Sequence, residues 1–201
     1  MILAIALLAQ STELPADPYE AAVTCAYSVG NTLRPGQSRI QAAAESSYFL
    51  LRAAQALPGD GTLFAKMPEV MRLNADRTPL PAEEARPYMP QCEARWPKAR
   101  SEKPVNLPAD SFERDVICYY SFALMGGIAE GFGETDGDMG ERDRYFALMK
   151  RFQQRVDQAR PARGLTAEPE MLRWGSALLI KTLDQGNAWV YSIACEATLD
   201  K

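Results

Sequence analysis

The stretch DPYEAAVTCAYS, which begins at Asp17, returns as DSFERDVICYYS at Asp110. The two agree at Asp, Glu, Val, Cys, Tyr and Ser, and Tyr19 lies over Phe112. Two further blocks follow in the same order. ESSYFLLRAA matches ERDRYFALMKRF at Tyr48-Phe49 and Tyr145-Phe146, and YMPQCEA matches YSIACEA at Tyr88-Cys92 and Tyr191-Cys195. The offset between the matched blocks grows along the chain, as it does when a duplicated unit gains residues in its loops. With only two copies and a long period, a solenoid is excluded. The expected fold class is all-α: two tandem copies of a small disulfide-closed helical bundle, about four helices each, related by internal duplication.

The repeat also assigns the cysteines. Cys25, Cys92, Cys118 and Cys195 stand one near each end of each unit. Four cysteines allow three pairings, and a duplication in which each unit closes itself selects Cys25 with Cys92 and Cys118 with Cys195. Each bridge would close a loop worth roughly 4 kcal/mol on the chain-entropy model. No Cys-x-x-Cys spacing exists, so thiolate zinc sites and dithiol redox chemistry are not expected.

Disulfides imply an oxidising compartment, and the first residues agree. MILAIALLAQSTELPA has an apolar run from Ile2 to Ala9, followed by polar residues, with Ala9 and Ala16 as small residues before a cut. The run is far shorter than the ~20 residues a bilayer requires. Residues 1–16 therefore read as a signal peptide, and the mature protein as exported, periplasmic or extracellular. No transmembrane segment is expected after signal removal. The remaining organisation is unit 1 over 17–96, a Pro-rich linker over 97–109 and unit 2 over 110–201. The linker carries Pro97, Pro104 and Pro108 and a small basic cluster, Lys98, Arg100 and Lys103, read as a solvated connector.

Helical spacing runs through both units. Tyr19, Val23, Ala26, Gly30 and Leu33 make one stripe; Ile40, Ala43, Ser47, Leu50, Ala54 and Leu57 make a second. Helices are expected over 63–73 and 82–95, with irregular or broken helix expected where Pro68, Pro87 and Pro90 fall in them. In unit 2, Phe112 to Gly127, Tyr145 to Val156, Glu168 to Leu183 and Asn187 to Leu199 read as four more. No segment alternates with a strand period, so no sheet is expected.

Chemistry is constrained by an absence: the 201-residue chain holds no histidine. Ser-His and Cys-His catalysis and histidine-ligated zinc are thereby excluded. The formal charge of -4 offers no basic surplus for nucleic acid. The most specialised stretch is LMGGIAEGFGETDGDMGERD, where glycines lead into Glu134, Asp136, Asp138 and Glu141. These four carboxylates form a candidate binding loop. A calcium loop of the EF-hand kind wants Gly at its sixth position and Glu at its twelfth. Counted from Glu134 those are Met139 and Tyr145; from Asp136 they are Glu141 and Ala147. Neither register fits, so no metal is expected, and the loop is read as ending one helix and starting the next. The Gly126-Gly127 pair lacks the Lys-Ser/Thr ending of a phosphate loop and is read as a close helix approach.

Tyr27, Tyr88, Tyr120 and Tyr191 suggest a ligand cage but are better read as core residues with a hydroxyl at the surface. Glu93 and Glu196 are read as capping or salt-bridge groups. No residue is assigned a catalytic role and no cofactor is expected. The functional expectation is an exported, non-catalytic helical protein that binds a protein or small-molecule partner, as an inhibitor, immunity-like or assembly factor does. The alternatives are a carboxylate-dependent hydrolase of an envelope glycan, resting on Glu130, Glu134 and Asp136, and a divalent-ion module resting on the same loop.

Overall fold

Both of the repeated aspartates open a helix. Asp17 accepts the Glu20 amide at 2.9 Å and Asp110 accepts the Glu113 amide at 2.9 Å, satisfying donors that a helix start leaves unpaired. They cap α1 (Pro18–Gly30) and α6 (Ser111–Asp136). The structure, a computed structural model, describes residues 13–78, 80–103 and 105–199. The run from Ile2 to Ala9 and most of the expected signal segment lie outside the described residues.

Ser38 caps α2 (Arg39–Ala56), which stops where Pro58 and Gly59 follow, and Thr62 caps α3 (Leu63–Asn74). The segment with Pro87 and Pro90 is broken as expected, into α4 (Ala82–Ala85), a 3-10 turn over Arg86–Tyr88 and α5 (Met89–Arg95). The second half continues with α7 (Gly140–Ala159), α8 (Glu168–Leu183) and α9 (Ala188–Glu196), the last capped by Asn187. Among the described residues there is no strand.

Cys25 of α1 is bonded to Cys92 of α5, and Cys118 of α6 to Cys195 of α9, with Cα–Cα distances of 5.7 and 5.5 Å. All four sulfurs belong to fully buried residues. The first helix of each half is thus tied to its last.

Each bridge is surrounded by residues from both halves. Leu183 of α8 packs in the cluster around Cys25, Phe49 and Cys92; Ala44 of α2 packs in that around Cys118, Phe122, Phe152 and Cys195. The Tyr48 hydroxyl donates to the Leu183 carbonyl at 2.8 Å, and the Leu63 amide donates to the Ser176 hydroxyl at 2.7 Å. The two halves therefore share a core.

The structure departs from the sequence reading at several places. Leu33 lies beyond the end of α1 and is half exposed, so it is no part of the core stripe. On α2 the buried face is rotated: Ala44, Glu45, Tyr48 and Phe49 are inside, whereas Ala43 and Ser47 are only half buried. The glycines at 126, 127, 131 and 133 do not end the first helix of the second half. They lie inside α6, which stops only at Gly137, in the left-handed conformation at φ 78°. Lastly, α6 is long and apolar enough, by length and composition, to cross a bilayer. Here it is the central helix of its half, with Phe112, Val116, Phe122, Met125 and Ala129 buried against α7, α8 and α9.

The connection over 97–109 is packed as well as solvated. Ala99 is fully buried, and its carbonyl accepts the Asn187 side-chain amide at 2.8 Å. Arg100 reaches Glu45 at 3.0 Å and the Thr32 carbonyl at 3.3 Å.

Candidate functional site: an apolar pocket between the halves

Where the two halves meet, the side chains do not fill the space. A pocket of about 220 Å³ lies between Leu51 of α2, Phe64 and Met67 of α3, Leu124 of α6, and Leu179 and Leu183 of α8. Gly186, Asn187 and Tyr191 close one end, and Tyr120 joins the wall by packing its ring on Phe64 at 4.8 Å. Among the described residues no lining side chain carries a charge.

The helix ends position this wall. The Leu63 amide, held by Ser176, fixes the start of α3 against α8. Pro68 removes the amide that would bond the Phe64 carbonyl, so α3 is weakened just behind its two pocket residues. Arg52 donates to the Tyr48 hydroxyl at 3.0 Å and to Asp184 at 2.7 Å, clamping α2 to the end of α8. Asn187 caps α9 through the Val190 amide while its own amide group holds the Ala99 carbonyl. Gly175 lets Tyr120 approach α8: a Cβ there would stand 2.8 Å from the tyrosine ring and hydroxyl. Burial pushes both phenols up, Tyr191 to about 12 and Tyr120, with some help from Tyr119, also to about 12. Both remain neutral through the physiological range.

Of the four tyrosines read as a cage or core, Tyr120 and Tyr191 meet at this pocket. Tyr27 instead donates to the Asn74 carbonyl at 3.1 Å, and Tyr88 packs beside the first disulfide. The leucines, Phe64 and Met67 were not legible as a site, because they come from helices far apart in sequence and each reads as ordinary core.

The acidic stretch is partly helix, and two of its four acids are in ion pairs. Glu134 and Asp136 end α6, and Asp136 binds Arg39 at 2.5 Å, whose guanidinium also lies 4.7 Å over the Phe132 ring. Asp138 accepts the Gly140 amide at 2.9 Å, and Glu141 pairs with Arg144 at 3.0 Å on the first turn of α7. Asp136, Asp138 and Glu141 do border one shallow hollow, together with Arg39. Among the described residues no group of three His, Cys, Asp or Glu side chains is arranged to hold a metal ion. Glu130 and Glu134 do not converge with a second buried carboxylate; Glu130 lies 3.9 Å from Arg142. Glu93 and Glu196 each sit in an ion pair, with Arg100 at 3.1 Å and Arg144 at 2.5 Å.

One carboxylate that the sequence did not single out is fully buried. Glu45 is enclosed beside α1 and pairs with both Arg34 and Arg100. Burial raises its pKa above the usual carboxylate value, and Gln37 and the two arginines hold that rise back. Arg100 is itself nearly buried, and both arginines border an open hollow that Glu93, Lys98, Glu102 and Lys103 also line. The only hint in sequence was a glutamate flanked by small residues in QAAAESSYF.

Comparison with protein-family models, with curated proteins and with solved structures finds no match.

Proposed function

We propose that this chain is an exported, non-catalytic binding protein of the cell envelope, periplasmic or extracellular, and that the pocket between its halves is the ligand site. The observation that carries the reading is the pocket itself: without a charged side chain among the described residues of its wall, lined by five helices, and built from both halves. Pockets of this kind, mostly apolar with a few polar groups, are the usual form of small-molecule sites. Two of the acids on which a glycan hydrolase or an ion module would rely are held in ion pairs, Asp136 by Arg39 and Glu141 by Arg144.

Export is supported by two buried disulfides and no free thiol among the described residues. Descent from a duplicated unit is supported by the matching caps at Asp17 and Asp110 and the matching first-to-last bridges. Of the two cleavage points, Ala9 suits the packing better. The Leu14 amide donates to Gln91 at 2.9 Å and Leu14 packs on the first core cluster, contacts that a cut after Ala16 would remove.

The test is isolation of the protein from the envelope of the cell that makes it, without detergent, followed by amino-terminal sequencing and native mass spectrometry. The reading expects a start at residue 10, two closed disulfides and a co-purifying partner. An intact Met1 on reduced, cytosolic protein that carries nothing contradicts it.

A further inference from the structure

Resting on that reading, we propose that the pocket takes one uncharged hydrocarbon group of roughly nine carbons, either a fused-ring compound or the end of an alkyl chain. Size sets the first limit. An engineered apolar cavity of about 150 Å³ holds benzene. This one, at about 220 Å³, is half as large again.

Charge sets the second limit. An ion entering would find no counter-charge in the wall, and an unpaired charge in an apolar site is strongly unfavourable. Two of the polar side chains present are already engaged. The Thr182 hydroxyl donates to the Leu179 carbonyl at 2.6 Å, and Asn187 is held by Ala99 and Val190. What remains toward a ligand is mostly leucine, aromatic ring and thioether, with the hydroxyls of Ser121, Tyr120 and Tyr191 as the few polar groups left at the wall. A water molecule needs two to four polar partners, so the space favours a hydrocarbon over solvent. Met67 and Phe64 add adaptability: an unbranched thioether fills irregular gaps, and the proline-interrupted α3 that carries both residues has lost one of its own hydrogen bonds.

The test uses the full mature, oxidised chain with two probes of similar carbon number, naphthalene and 1-octanol, read by titration calorimetry and by thermal melting. Binding of either is expected to raise the melting temperature by about 3 °C at saturating probe. Naphthalene alone identifies a ring ligand, octanol alone an alkyl chain, and both together the shared chemistry. Ala123→Phe, which fills the pocket from α6, is expected to weaken binding by about tenfold or more while melting no lower than the parent. Ala188→Leu does the same from α9, so that one misfolded variant does not decide the matter. Ile193→Ser, on the exposed face of α9, is expected to bind as the parent does. Binding of neither probe, or binding that survives both filling variants, overturns the proposal. If the envelope-isolated protein nevertheless carries a partner, the binding function stands and only its assignment to a hydrocarbon in this pocket falls.

Discussion

Glu45 shows how much one side chain can demand of its surroundings. It is fully buried on a helix otherwise lined by alanine and aromatic residues, and its two arginines come from outside that helix. Arg34 follows α1, and Arg100 belongs to the connection between halves. Removing one partner of a buried pair leaves an uncompensated charge, which is strongly destabilising. Arg100→Ala is therefore expected to cost about 3 kcal/mol near neutral pH, measured by urea unfolding. The cost should shrink on acidification. Burial already raises the Glu45 pKa above 4.5, and loss of Arg100 raises it further. A raised folded pKa gives stability that is present in full below the unfolded value and is lost as pH rises through the folded value. The variant should therefore recover toward the parent as pH falls to about 4.5. A penalty that stays constant with pH would mean that Arg100 contributes packing alone. None of this was legible in sequence: Arg100 reads as part of a solvated basic cluster, and the pairing joins residues 55 positions apart.

At the scale of elements, the helices were largely legible because each one carries its own local signals. Asp17, Ser38, Thr62, Asp110 and Asn187 all accept a backbone amide at a helix start. Pro58 with Gly59, and Gly164, mark helix ends. The glycine-rich part of α6 was only partly legible: Gly126 does allow a close helix approach, since a Cβ there would stand 2.7 Å from the Phe146 ring of α7, but the internal glycines do not end the helix. A Cβ on Gly133 would lie 2.7 Å from the Asp138 carbonyl oxygen and 2.5 Å from the Met139 sulfur, where the chain turns into α7. Gly127 and Gly131, in contrast, have no atom of a described residue within 4 Å of that position. The same substitution should then act in opposite directions. Gly133→Ala is expected to destabilise by about 1–3 kcal/mol through overpacking. Gly127→Ala and Gly131→Ala should stabilise by up to about 1 kcal/mol each through helix propensity. Thermal melts of the three variants check this, and a stabilising Gly133→Ala would show that the α6–α7 turn yields easily. The α2 stripe was misplaced for a different reason. Spacing gives the period of a helix but not its rotation, and alanines spread around α2 left the face undecided until Tyr48 and Phe49 met their partners.

For the whole molecule, disulfide closure and a shared core act together. Each bridge constrains a long loop, with sequence separations of 67 and 77, worth about 4 kcal/mol on the chain-entropy model. Replacing Cys118 and Cys195 by serine should lower the melting temperature by about 8–16 °C. Because Ala44 packs around that bridge and Leu183 around the other, loss of one bridge should loosen both halves in a single transition. Two separated melting transitions would mean independent halves. Bridge partners could be read from the repeated sequence blocks, since a pairing that closes each half on itself leaves one choice. The pocket could not, since its wall exists only once α2, α3, α6, α8 and α9 have been brought together.

Hydrogen–deuterium exchange with and without saturating naphthalene or 1-octanol tests the central claim most directly, because it reads both halves at once. The account predicts slower exchange in peptides covering 63–67, 120–124 and 179–191, drawn from both halves, with residues 134–141 unchanged. Protection confined to one half, or centred on 134–141, would contradict it.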